Sequence, residues 1–233
     1  MSELFDIACN FSSNRYDNDL DEVIKNAKNN NVTKFLVVSA SINDVDKVYS
    51  IYQKYRSDCF FTVGTHPHHA NEINSESMKK MRILVKDLKP CSVGETGLDF
   101  FRNLSTLEEQ IFAFEEQIKL SIEFNKPLFL HQRDAHDEFI KIIMKYKNDI
   151  NKAVVHCFTG TQKQLDSYLN LGFYIGLTGW ICDERRNVEL RKSIKNIPLD
   201  KLMIETDSPY LIPRNLDIKP ENNRNEPSYL PHI

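Results

Sequence analysis

Two periodicities alternate along the chain. Short, nearly unbroken apolar runs recur at residues 4–9, 34–39, 59–64, 91–95, 127–131, 153–156, 173–176 and 201–207. Continuous apolar character, rather than strict alternation, marks strands buried on both faces. Between the runs, apolar residues fall at helical spacing. The stripes are Leu20, Val23, Ile24, Ala27; then Val45, Val48, Tyr49, Tyr52; then Met78, Met81, Val85, Leu88. The fourth and longest comprises Leu107, Ile111, Phe114, Ile118 and Ile122, with Ser105 and Glu108 as its expected capping box. Phe139 to Tyr146, Leu165 to Leu169 and Val188 to Ile194 continue the series.

Eight strands alternating with seven helices through short connections predict a closed α/β fold, the (β/α)8 TIM barrel, as one domain over 1–233. Beyond Asp207 the pattern changes to a loop rich in Pro and Asn, and 227–233 reads as the start of an eighth helix that stays short. The expectation is a barrel whose last covering helix is truncated or missing, with an apolar stripe left open.

Composition adds only boundaries. A hydrophobic fraction of 41% supplies a core, and the net charge of −3 excludes a globally basic nucleic-acid binder without excluding a local basic cleft. Five cysteines form no C-x-x-C pair, which fits a reducing compartment. No long apolar run or leader-like start is present, so the expectation is a soluble, monomeric protein of the cytoplasm (or the nucleus of a eukaryote), with no membrane partner.

The chemistry lies where the apolar runs end. Glu95, His131, His156 and Asp207 close runs four, five, six and eight, and His66 follows run three. In a barrel these ends converge on one face. A single strand-end histidine is more often structural, but four polar groups at the ends of apolar strands need a shared partner. A divalent metal supplies one. Carboxylate and imidazole without thiolate suit Mg²⁺ first, with Mn²⁺ or Zn²⁺ as alternatives. Asp207 is the candidate to position and deprotonate water, or to ligate, and His66 to hydrogen-bond the substrate.

Arg133, two residues beyond His131, has the forked guanidinium that suits phosphate, and Arg185, Arg186, Arg214 and Arg224 add charge in later loops. His68 is a further candidate phosphate contact. Trp180 offers a stacking face, with packing as the plainer reading. Glu205 shares a strand face with Asp207 and is a candidate acceptor behind His131 or His156.

These stretches, Gly64-Thr65-His66-Pro67-His68, Gly94-Glu95-Thr96-Gly97-Leu98-Asp99, His131-Gln132-Arg133-Asp134, His156-Cys157-Phe158-Thr159-Gly160 and Glu205-Thr206-Asp207-Ser208-Pro209, together with Asn225-Glu226-Pro227, resemble the TatD family of metal-dependent deoxyribonucleases. The resemblance implies hydrolysis of DNA phosphodiesters, as a 3′→5′ exonuclease preferring single strands. It implies metal contact by Glu95, His131 and His156, with Asp207 beside the attacking water and His66 near the phosphate. Many members carry a His-x-His pair where this chain has Ala8 and Asn10, so the expectation is one well-held metal and a second, weak one. The competing readings are a metal-dependent hydrolase of an ester, amide or lactone, and a binding module with an impaired site.

Overall fold

The computed structural model describes residues 3–185, 187–220 and 222–233. Eight parallel strands lie in the order of the chain: β1 Leu4–Cys9, β2 Val32–Val37, β3 Cys59–Val63, β4 Ser92–Asp99, β5 Leu128–Arg133, β6 Ala153–Val155, β7 Tyr174–Leu177 and β8 Leu202–Ile204. Among the described residues seven α-helices alternate with them: α1 Leu20–Asn29, α2 Val45–Lys54, α3 Ser75–Leu88, α4 Leu107–Glu123, α5 His136–Tyr146, α6 Gln162–Asn170 and α7 Val188–Ser193. This is the (β/α)8 barrel.

Two apolar layers hold it. Ile7, Ala8, Leu36, Val38 and Phe129 fill the barrel interior, and a larger cluster including Phe35, Phe61, Phe114, Phe139 and Tyr168 fills the space between sheet and helices. The parallel strands are therefore covered on both sides, which is why their sequences read as unbroken apolar runs.

Polar groups close the ring between β1 and β8. Cys9 bridges Ser208, and the Asn10 N–H donates to the Ser208 carbonyl at 2.8 Å. Buried Asp6 accepts from the Thr206 N–H (2.9 Å), the Thr206 hydroxyl (2.5 Å) and the Ala8 N–H (3.2 Å). Removing that carboxyl strands three donors away from water. Asp6→Ala should therefore lower stability by about 3 kcal/mol, a fall in Tm of roughly 6–12 °C. An unchanged thermal melt would show that the closure does not depend on Asp6.

Two expectations about α4 need correction. Its capping box is Thr106 with Glu109, not Ser105 with Glu108: the Thr106 hydroxyl accepts from the Glu109 N–H and Glu109 accepts from the Thr106 N–H. Ser105 instead bonds to the preceding loop, donating to the His68 carbonyl and accepting from the Asn71 N–H. Leu107, placed in the buried stripe, is exposed, and the buried face carries Gln110 and Gln117 beside Phe114 and Ile118.

After β8, residues 227–232 form a 3-10 turn, not a longer helix, and it packs on α1, β1 and β2 with Leu230 fully buried. The three β8 residues are half-buried, whereas β4 is buried throughout.

Candidate metal centre

Glu95 owes its position to an interruption in strand pairing. β4 pairs with β5 through Gly94↔Phe129 and then Thr96↔Leu130, so Glu95 is the extra residue of a β-bulge. Bulges re-aim side chains beside functional sites, and this one turns a carboxylate to the barrel mouth. Gly97 completes the arrangement. It sits at φ +147°, and a Cβ there would lie 1.9 Å from the His131 carbonyl oxygen. Only glycine lets β4 run this close to the strand bearing His131.

Three imidazoles converge on one oxygen. Glu95 Oε1 lies 2.7 Å from His156 Nε2, 3.0 Å from His131 Nδ1 and 3.3 Å from His66 Nε2, while His131 Nδ1 and His156 Nε2 face each other at 3.3 Å. Glu95, His66 and His156 are buried, and His131 is half-buried. If His131 Nδ1 and His156 Nε2 both carry hydrogens for Glu95, two N–H groups face each other at 3.3 Å; a cation among these atoms, taking the nitrogen lone pairs, removes that conflict. Spacings near 3 Å are the edges expected of a polyhedron with metal–ligand bonds of about 2.1 Å. His66, Glu95 and His131 offer one ligand atom each within 4.8 Å of one another. The donor set fits a divalent cation.

Charge balance follows from the same contacts. Burial opposes the Glu95 charge, but the surrounding histidines outweigh it and hold the carboxyl well below its usual range. His156 moves the other way: burial disfavours its charge, yet Glu95 and Glu205 raise it well above the ordinary imidazole value. His66 follows burial and is brought down to about 4, so it stays neutral.

Among the expected site residues, the structure brings together His66, Glu95, His131 and His156. Asp207 stands three residues beyond β8 in left-handed backbone (φ 55°), and its Oδ1 accepts from Asn10 Nδ2 at 3.0 Å. Burial pushes its carboxyl up to about 7, with Glu95 and Glu205 adding to the rise against His156. Glu205 is wholly buried behind His156, with Oε1 3.5 Å from Nδ1 and also accepting from the Cys157 N–H, so the imidazole it faces is that of His156. Arg133 lies on the rim with its guanidinium 3.9 Å over the Phe101 ring. Trp180 sits in a 3-10 turn, Gly179–Cys182, on the wall of a separate cavity.

The later arginines are engaged. Arg224 is bound by Asp19 and Glu226, and both Arg185 and Arg214 pair with Asp183. Arg186 lies outside the described residues.

Four contributors escaped the sequence reading. Asp99, at the end of β4, accepts from or pairs with His68 Nε2 (2.8 Å) and lies 3.5 Å from His131 Nε2. Asn10 holds Asp207. Gln117 binds both backbone groups of Thr65, next to His66, and Gln110 binds both of Asp99. Two glutamines seven residues apart on the buried face of α4 were the available signal, since buried amides need partners.

The model of the family described as TatD related DNase matches residues 5–233. The chain belongs to the TatD family. A TatD relative from Erwinia billingiae, described as a 3′-5′ ssDNA/RNA exonuclease, is 43% identical over 230 residues, covering 99% of this chain and 88% of its own. A TatD of the same description from Cronobacter turicensis is 44% identical, with 87% of its length covered. Two solved structures share the fold over the whole chain. A TatD homologue from Escherichia coli superposes with a TM-score of 0.89 at 25% identity, over 98% of this chain and 86% of the other. A TatD family hydrolase from Entamoeba histolytica gives 0.88 at 28%, over 99% and 89%. No helix among the described residues is long and apolar enough to cross a membrane.

Proposed function

We propose that this TatD family member is a metal-dependent exonuclease that removes nucleotides from the 3′ end of single-stranded DNA and RNA. It acts as one monomeric domain in the cytoplasm with Mg²⁺. The observation that carries the reading is the convergence of His66, His131 and His156 on Glu95 Oε1, with Asp207 alongside. The relatives' described activity and the phosphate-suited rim support it.

Glu95, His131 and His156 would hold one metal, with His66 close enough to join them. A bound divalent ion supplies Lewis-acid charge at the phosphate and an acidified water. The chain supplies the rest. Asp207, fixed by Asn10, orients the attacking water and takes its proton. His66, neutral because buried, presents an imidazole to the leaving oxygen or phosphate. Arg133, held flat by Phe101, addresses a phosphate oxygen pair, and His68, set against Asp99, extends that rim. Trp180 offers a ring to a base. Glu205 fixes His156 from behind.

The test uses end-labelled single-stranded and duplex oligonucleotides with the purified chain. A ladder from the 3′ end is expected, favouring single strands, lost in EDTA and restored by Mg²⁺, with one tightly held ion per chain by elemental analysis. Cleavage that persists in EDTA, or a ladder from the 5′ end, would overturn the reading. Two tightly held ions would overturn the single-site assignment.

A further inference from the structure

A cavity of about 520 Å³ opens beside the barrel mouth, and the proposed hydrolysis makes no use of most of it. Its volume is in the range of small-ligand sites. Among the described residues, Arg15, Arg185, Arg214 and Lys219 line it against one carboxylate, Asp183, so four cations face one anion and leave three positive charges. In a chain of net charge −3 that concentration is local and one-sided.

The charges are built in, not scattered. Arg185 binds both Asp183 oxygens (Nε and Nη2, each 2.9 Å), and Arg214 adds Nε at 3.0 Å to Oδ2. One carboxylate thus holds two guanidiniums side by side and neutralises only one. Lys219 is exposed and has no ion-pair partner among the described residues. Arg15 braces the wall, donating to the carbonyls of Pro209, Asn222 and Asn223. Half-buried Trp180 and Tyr210, 54% exposed, add two aromatic rings. Cations interleaved with rings are the chemistry of single-stranded nucleic-acid grooves.

The cavity adjoins the centre through the chain that follows Asp207. Its wall begins at Pro209, and the Tyr210 N–H donates to the Asp207 carbonyl at 2.9 Å.

We infer that this cavity is a second nucleotide subsite, taking a phosphate and base of the single-stranded chain on the 5′ side of the scissile bond. The inference rests on the exonuclease reading for its direction: the 3′-terminal nucleotide occupies the barrel mouth, and the polymer that remains carries a charge at every step. Charge outside the mouth therefore acts on the retained strand. A dinucleotide without a 5′ phosphate carries the scissile phosphate alone, so it brings no phosphate to these cations.

The experiment separates the two readings. Fluorescence anisotropy in EDTA measures binding of labelled di- and hexathymidylate to the wild-type chain and to Lys219→Ala, Arg214→Ala and, on the far side of the barrel, Lys80→Ala. Lys219→Ala and Arg214→Ala should each weaken the hexamer about fivefold and reduce its salt slope by about one ion. Dinucleotide binding and the Lys80→Ala control should be unchanged. With Mg²⁺, the same two variants should raise the hexamer KM at constant kcat. No metal-free hexamer binding by the wild-type chain, no effect of either variant, or equal effects on dimer and hexamer would overturn the subsite. Hexamer binding that depends on Lys219 and Arg214, with no hydrolysis by the metal-loaded wild-type chain, would keep the subsite and overturn the exonuclease.

Discussion

Glu95→Gln is expected to reduce turnover on the order of 10⁴-fold and to abolish tight metal binding, while the barrel stays folded. Glutamine keeps the shape of the side chain and removes its charge. Three imidazole nitrogens lie within 3.3 Å of Glu95 Oε1, and among the described residues no other carboxylate touches all three. A neutral amide cannot balance a divalent ion there, and one of its orientations turns an N–H₂ toward the nitrogens that should face the metal. Metal affinity depends on deprotonated ligands, and Glu95 is the anionic one among the neutral imidazoles here.

An independent readout comes from the metal-free chain. His156 is raised by Glu95 and Glu205 against the effect of burial. Without the Glu95 charge, its protonated form loses the nearer of its two partners, so its titration followed by NMR should move to lower pH. Retained metal binding by Glu95→Gln would remove the carboxylate from the centre. An unmoved His156 would remove its role in charge balance. A circular dichroism spectrum like that of the wild-type chain keeps either result interpretable.

The parts of this molecule legible in the sequence were those governed by short-range pattern. Parallel strands covered on both faces must be apolar throughout, so β1 appears in the sequence with its observed limits. The groups at the C-terminal ends of those strands then share a face by geometry alone. What the pattern could not show was partner choice. Asp99 looked like the end of a motif, yet it meets His68 and His131 only because β4 runs four residues beyond Glu95 after the bulge. Asn10 and Asp207 are 197 residues apart, and they touch because the barrel closes there. Arg224 read as added positive charge in a later loop, but it is spent on Asp19 and Glu226. The Ser105 cap failed by one residue because two adjacent hydroxyls, Ser105 and Thr106, both satisfy the local pattern, and the loop at His68 claims the first.

Asp207→Asn should lower kcat on the order of 10³-fold and leave single-strand binding within about twofold. Asparagine retains an oxygen for the bond from Asn10 Nδ2, so the loop keeps its geometry and only proton transfer is lost. The pH profile distinguishes this role from a structural one. Asp207 serves as a base only when ionised, and burial places its carboxyl at about 7 in the metal-free chain. A raised acid pKa means that protonation, and hence inactivation, begins at a higher pH than for a free carboxyl. A bound cation favours the anion, so in the loaded enzyme the limb should fall below 7. The wild-type rate should accordingly climb as pH rises through that limb and then level off, whereas the residual rate of Asp207→Asn should show no such rise. A limb that survives in the variant would assign the ionisation to another group. If KM for the oligonucleotide rose with kcat unchanged, Asp207 would be holding substrate, and the water would have to be oriented elsewhere in the centre.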